Sequence, residues 1–171
     1  MEWWKWVAIA VLITLSGCYS GLNLGVLGLD LKELEMMTAG PYETTQDEHE
    51  GKLAKRILPL RRQGNLLLCA ILLGNVLVNS ALSIIMGESF GGIAALVVST
   101  GFIVVFGEII PQAICSRYGV QAGAYLSFLL YITIGITFVI SYPIAAILNS
   151  CLGEEVGTIL TKNKMKKLFE I

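Results

Sequence analysis

Three long apolar stretches, each broken only by isolated polar residues, stand out along the chain: Trp6 to Leu29, Leu66 to Met86, and Phe90 to about Ser116. Each exceeds the roughly 20 residues that a helix rising about 1.5 Å per residue needs to cross a hydrocarbon core about 30 Å thick. A fourth stretch, 118–152, carries no charge at all. Between the first two, residues 31–59 alternate in the manner of short amphipathic helices. Leu31 to Met37 forms the first, Gly40-Pro41 a turn, and the second opens on a Thr45–Glu48 capping box and is expected to stop at Pro59. A basic amphipathic pattern at 161–171 predicts the start of a further, cytosolic helix that continues beyond Ile171. The pattern as a whole predicts an all-α integral membrane fold in a single transmembrane domain.

Charge orients it. Lys52, Lys55, Arg56, Arg61 and Arg62 crowd ahead of the second span, so the loop they occupy is cytoplasmic and the N-terminus lies outside. These charges read as a solvated, orienting set. Three crossings then leave Arg117 inside. A fourth would carry Lys162, Lys164, Lys166 and Lys167 outside, against the charge bias. Residues 120–150 are therefore expected to form a bent juxtamembrane helix that lies in, or re-enters from, the inner leaflet. Gly135 and Ser141-Tyr142-Pro143 are its bending points, and the C-terminus is cytoplasmic.

Composition agrees with a membrane domain: 55% of the 171 residues are hydrophobic and 15% charged, with a mean hydropathy of +0.72. A net charge of −1 offers no basic face for nucleic acid. Cys18, Cys69, Cys115 and Cys151 have no metal-ligand spacing and read as free thiols among helices. Leu15-Ser16-Gly17-Cys18 looks like a lipoprotein cleavage box, yet Glu2 precedes it and apolarity continues for eleven residues beyond Cys18, which favours an uncleaved span with Trp3, Trp4 and Trp6 at its interface.

Against this background Glu108 is conspicuous, the sole charge between Glu88 and Arg117. A carboxylate at membrane depth costs about 2.5–3.5 kcal/mol and marks a partner, a cavity or an ion. Pro111 has no N–H and displaces the carbonyl of Gly107, four residues back, so that oxygen is freed beside the carboxylate. Two polar stripes accompany it: Ser16, Ser20 and Asn23 in the first span, and Asn75, Asn79 and Ser83 in the second. Gly17, Gly21 and Gly25 form a packing edge one residue along from the first stripe. Ser20 lies ten residues before Asp30, Asn75 nine after Leu66 and Glu108 nine before Arg117, so all three sit at about 13–15 Å from the inner surface. Hydroxyl, amide, carboxylate and freed carbonyl in one layer suit a hard cation such as magnesium or calcium. No nucleophile–base pair or phosphate loop points to an enzyme, and His49 sits in the charged loop.

The runs Ser16-Gly17-Cys18-Tyr19-Ser20-Gly21-Leu22-Asn23-Leu24-Gly25, Leu73-Gly74-Asn75-Val76-Leu77-Val78-Asn79, Phe106-Gly107-Glu108-Ile109-Ile110-Pro111-Gln112 and Ser141-Tyr142-Pro143-Ile144 resemble, in order, the transmembrane domain of the cyclin M and CorC magnesium transporters. The resemblance implies a homodimer with three spans per subunit, a juxtamembrane belt helix and a largely dehydrated Mg²⁺ near the midplane of the cell membrane. By motif, the coordinating residues would be Ser20, Asn75, Gly107 and Glu108. Ser16 and Asn79 are close by, and Asn23, Ser83, Pro111 and Gln112 belong to the surroundings or the ion path. It also implies efflux with sodium-linked exchange, and a cytosolic regulatory module that lies outside this chain. Two other readings stay open: a non-transporting membrane scaffold that regulates other channels, and a transporter of another cation.

Overall fold

The computed structural model describes residues 2–152, all of whose regular structure is helical. The helix expected at 161–171 lies outside the described residues. Helix α1 (Trp3–Leu27) is followed by α2 (Leu31–Ala39), α3 (Thr45–Arg61), α4 (Asn65–Phe90), α5 (Gly92–Phe102), a π-helical segment (Ile103–Ile109), α6 (Ile110–Arg117), α7 (Gly119–Tyr125) and α8 (Ser127–Leu152). Among the described residues four helical stretches are long and apolar enough to cross a membrane: Trp3–Leu27, Asn65–Ser89, Gly92–Arg117 and Ser127–Leu152.

Local chemistry sets the boundaries, and it moves several of them. Asp30 caps α2 by accepting from the Lys32 amide at 2.9 Å. The capping box of α3 is Thr44 with Asp47, not Thr45 with Glu48: Thr44 Oγ1 accepts from the Asp47 amide, and Asp47 Oδ2 accepts from the Thr44 amide, each at 3.1 Å. Starting the helix one residue earlier leaves Glu48 free to pair with Lys52 at 2.7 Å, one turn on. Pro59 does not stop α3 but lies inside its last turn. The single hydrogen bond it removes is outweighed by burial of Leu60 and Arg61 just beyond it. Nor does the second span end in a turn at Gly87-Glu88-Ser89. Helix α4 runs on to Phe90, and the reversal falls on Gly91 and Gly92, whose φ of +60° and +81° suit residues without Cβ. The 120–150 stretch breaks at Leu126, before a continuous α8 that keeps Pro143 inside it.

The contacts fix relative directions. Glycines of α1 meet the third span and the start of α7 in register: Gly17 against Pro111, Gly21 against Cys115, Gly25 against Cys115 and Gly119. A Cβ on Gly119 would lie 2.6 Å from the Gly25 carbonyl oxygen, so the two backbones touch, and they run parallel. Helix α4 is antiparallel to α1, with Asn79 beside Ser16 and Gly74 beside Tyr19. The expected glycine packing edge is thus the seam between α1 and the third span.

Two buried apolar clusters bracket the bundle. At the end carrying α2 and α3, Leu22 and Val26 of α1 join Leu34, Leu53, Ala54, Ile57 and Leu60, with Leu67, Ile71, Ala124 and Leu130. At the opposite end Ile9, Leu82, Met86 and Ile103 form a smaller one. Arg61 departs from the solvated set expected of the loop: it is 7% exposed, and its guanidinium donates to the Leu29 carbonyl at 3.1 Å and to Leu27 at 3.5 Å. The Leu27 carbonyl that closes α1 and the Leu29 carbonyl in the turn beyond it have no intrahelical N–H to take, and a buried cation there satisfies them and suits the helix C-terminus.

Candidate ion site

Between the two clusters the buried side chains turn polar. Ser16 on α1, fully buried, donates to Asn79 Oδ1 at 2.5 Å. Asn79 Nδ2 in turn lies 3.3 Å from Asn75 Oδ1 and 3.2 Å from Glu108 Oε1. One amide therefore uses its oxygen towards α1 and its two N–H groups towards α4 and the third span. The Gly107 carbonyl oxygen is 3.5 Å from Ser16 Oγ, and a Cβ on Gly107 would come 2.9 Å from that same hydroxyl. Glycine is what lets this backbone approach.

The third span delivers Gly107 and Glu108 from π-helical backbone. The Ile110 amide reaches back five residues to Val105, and Pro111 follows at the start of α6. Since Pro111 cannot donate and crowds the carbonyl four residues before it, the chain takes a wider turn there. The extra residue shifts the helical phase between Ile103 and Pro111. Gly107 is buried against α1 as a result, and Glu108 half-buried against α4.

One turn along the α1 seam, Gln112 Nε2 donates to the buried Ser20 hydroxyl at 3.4 Å. Of the residues expected here, Ser16, Asn75, Asn79, Gly107 and Glu108 share one hydrogen-bonded layer, Ser20 and Gln112 form a second, and Pro111 packs on Gly17 between them. Asn23 is half-buried and Ser83 exposed, and no side-chain hydrogen bond ties either to these layers. Among the described residues no three His, Cys, Asp or Glu side chains converge, so Glu108 brings its charge to a setting of neutral oxygens. Further towards α3, a cavity of about 440 Å³ opens between Leu24 and Gly25 of α1, Gly28 just past its end, and Ser116 and Arg117 of α6, with Glu50 on its wall.

Sequence reasoning missed three features: the central place of Asn79, the π segment, and a link from Tyr19 to α8. Glycine four residues before proline in an apolar helix is a signal for the second. A tyrosine in the middle of a span, whose hydroxyl must find a partner when buried, is a signal for the third.

Comparison with known proteins covers nearly the same length. The family described as "Cyclin M transmembrane N-terminal domain" matches residues 7–171. "Metal transporter cnnm-1" of Caenorhabditis elegans is 47% identical over 148 residues, which is 86% of this chain and 18% of that protein. "Protein MAM3" of Saccharomyces cerevisiae is 38% identical over 163 residues, 94% of this chain and 22% of that protein. "Metal transporter cnnm-2" of C. elegans is 33% identical over 170 residues, 99% and 21% respectively. The chain spans about a fifth of the length of these relatives.

Proposed function

The chain belongs to the cyclin M transmembrane-domain family, and from that premise we propose that it carries magnesium across the cell membrane through the oxygen layers described above. Membership supports a multi-pass membrane protein with a cation-transport role, and the expectation that the chain is no enzyme rests on the same ground. Two of the relatives are themselves described as metal transporters.

The observation that carries the reading is the joining of three helices through Asn79, which holds Asn75 and Glu108 oxygens side by side. In this proposal Ser20, Asn75, Gly107 and Glu108 supply the ligands, and Ser16 and Asn79 orient them. Each N–H of Asn79 occupies one lone pair and leaves others on Asn75 and Glu108 for a cation. Mg²⁺ needs near-octahedral oxygens at about 2.0–2.1 Å and sheds water reluctantly. One carboxylate among neutral oxygens draws the ion in without trapping it, as passage requires. The cavity beside Glu50 and Ser116 gives a hydrated ion room on the α3 side.

The proposed arrangement is a homodimer in the bilayer with three spans per subunit, N-terminus outside and C-terminus cytoplasmic, and α8 as the juxtamembrane belt. Contacts at both ends of α8 support this placing. Leu130 joins the cluster of Leu53, Ile57 and Leu60, while Asn149 accepts from Asn65 Nδ2 at 2.6 Å, at the first residue of α4. A helix of 26 residues is about 39 Å long; it meets Gly74 of α4 at Thr133 and Asn65, the first residue of α4, at Asn149, and that slow progress along α4 suits a helix inclined across it towards one end of the bundle. Efflux by sodium-linked exchange, under a cytosolic regulatory module, completes the reading.

The test is magnesium flux into or out of proteoliposomes, read by a trapped indicator. Glu108→Gln keeps shape and removes charge, and is expected to abolish flux at unchanged folding. Full flux in that variant would overturn the site. Flux absent from wild type as well would favour the scaffold reading, and competition by calcium, manganese or sodium separates magnesium from other cations.

A further inference from the structure

Helix α8 packs along α4 and also touches α3 and α7. Among the described residues a single side-chain hydrogen bond joins it to α1, between Tyr19 Oη and Thr133 Oγ1 at 2.6 Å. The direction follows from the geometry: Thr133 spends its one proton on the Leu129 carbonyl at 2.7 Å, so Tyr19 is the donor. The Tyr19 residue is 8% exposed. Its ring lies over Gly74, where a Cβ would come 2.8 Å from Tyr19 Cε1 and 3.2 Å from Thr133 Cγ2. Three helices therefore meet at one point, which stays open only because residue 74 is glycine.

That point adjoins the ion layers in sequence as well as in space. Ser20 follows Tyr19, and Asn75 follows Gly74. We propose that Tyr19 is a positioning residue: its ring and hydroxyl tie α8 to α1 and α4 at the residues next to Ser20 and Asn75, and so set the spacing of those two oxygens. This rests on the ion-site reading above. A rigid phenol wedged between helices transmits a shift of α8 to both oxygens together. Coordination distances held to a few tenths of an ångström do not tolerate such a shift. Movement of α8 would then tune the affinity of the site without any residue of α8 touching the ion.

The experiment uses the full-length protein in vesicles, with two readouts: the Mg²⁺ concentration giving half-maximal flux, and that giving half-maximal protection against thermal unfolding. Tyr19→Phe keeps the ring and leaves Thr133 bonded to Leu129, so packing is preserved. Loss of one hydrogen bond that the ion-bound arrangement depends on is expected to raise both concentrations about fivefold, with at most a small fall in the ion-free melting temperature. Thr133→Val is expected to give the same shift, and the double variant no more than either single one. Wild-type Mg²⁺ dependence in both single variants, with flux abolished by Glu108→Gln, would overturn the positioning role and leave the ion site standing. Full flux and full Mg²⁺ protection in Glu108→Gln would overturn the ion site, and this proposal with it. A lower ion-free melting temperature at unchanged Mg²⁺ dependence would reduce Tyr19 to a packing residue.

Discussion

Helix α1 passes through two kinds of interior within a few turns. From Leu22 to its end it turns Leu22 and Val26 into a dry cluster of leucines, isoleucines and valines, and Arg61 holds its last carbonyl, Leu27, together with that of Leu29 just beyond. From Ser16 to Ser20 the buried atoms facing its neighbours are hydroxyls, an amide and a carbonyl. In the first region the buried cation Arg61 completes backbone hydrogen bonds that would otherwise be lost. In the second, the polar groups bond mainly to one another and are half-open through Asn75, Asn79 and Glu108. The first region fixes where α1 stands, and the second leaves oxygen lone pairs that the fold does not consume. Substitutions in the two regions should therefore separate stability from ion handling.

The largest effect is expected where backbones touch. Gly119→Leu would force a side chain onto the Gly25 carbonyl, 2.6 Å from the Cβ position, and neither backbone can yield without parting α1 from α7. Overpacking of this kind costs about 1–3 kcal/mol where side chains can adjust and more where only backbone lies in the way. The expected outcome is loss of the helical, monodisperse species in detergent, read by circular dichroism and gel filtration. A variant that melts like wild type would mean that the seam is looser than described.

Arg61→Met comes next. It keeps much of the aliphatic stem but leaves the Leu27 and Leu29 carbonyls without their donor. A buried group left unpaired costs about 1–3 kcal/mol. Melting temperature should fall, while flux per folded molecule keeps its wild-type Mg²⁺ dependence. A change in that dependence at unchanged melting would break the distinction between the two regions.

Asn79→Leu inverts the pattern. Membrane hydrogen bonds contribute about 0.6–2 kcal/mol, and Asn79 is half-buried, so melting should change modestly. The layer, however, loses the group that holds Asn75 and Glu108 together. Flux is expected to drop at least as far as in Asn75→Ala. Wild-type flux in Asn79→Leu would show that these oxygens find their places without it.

How much of this was legible in the residues depends on the kind of information. Part of the layer was, because helical period and distance from the charged ends together set depth: counting brought Glu108 and Asn75 to one level, but it placed Ser20 there too, whereas Ser16 takes that position and Ser20 lies one turn along with Gln112. Which oxygen faces which could not be counted. Asn75 and Asn79 lie on the same stripe, and only the π-helical change of phase after Ile103 decides that Glu108 meets Asn79. Arg61 read as one more orienting charge because charge bias is blind to burial. The one-residue move of the cap from Thr45 to Thr44 reflects two adjacent threonines, each with an acidic residue three positions on, between which tertiary packing chooses. The proposed count of three crossings rests on charge parity and on where α8 meets α4, not on hydropathy, to which all four long stretches among the described residues look alike.

The smallest effect sharpens the comparison on α8 itself. Thr133, Thr137 and Ser141 recur every four residues on its buried face. Thr133 and Thr137 each donate to the carbonyl one turn back, Leu129 and Thr133 respectively, both at 2.7 Å. Ser141 is fully buried, and its hydroxyl has no partner among the described residues. Desolvating a hydroxyl without a compensating bond costs about 1–3 kcal/mol by mutational measures. Against that, the space left by one oxygen atom returns only a little. Ser141→Ala is therefore expected to leave flux unchanged and to raise the melting temperature slightly, or at least not lower it. A clear drop would mean that the Ser141 hydroxyl is satisfied in the assembled membrane protein, and that this face of α8 belongs with the polar layer beside Tyr19 and not with the dry cluster.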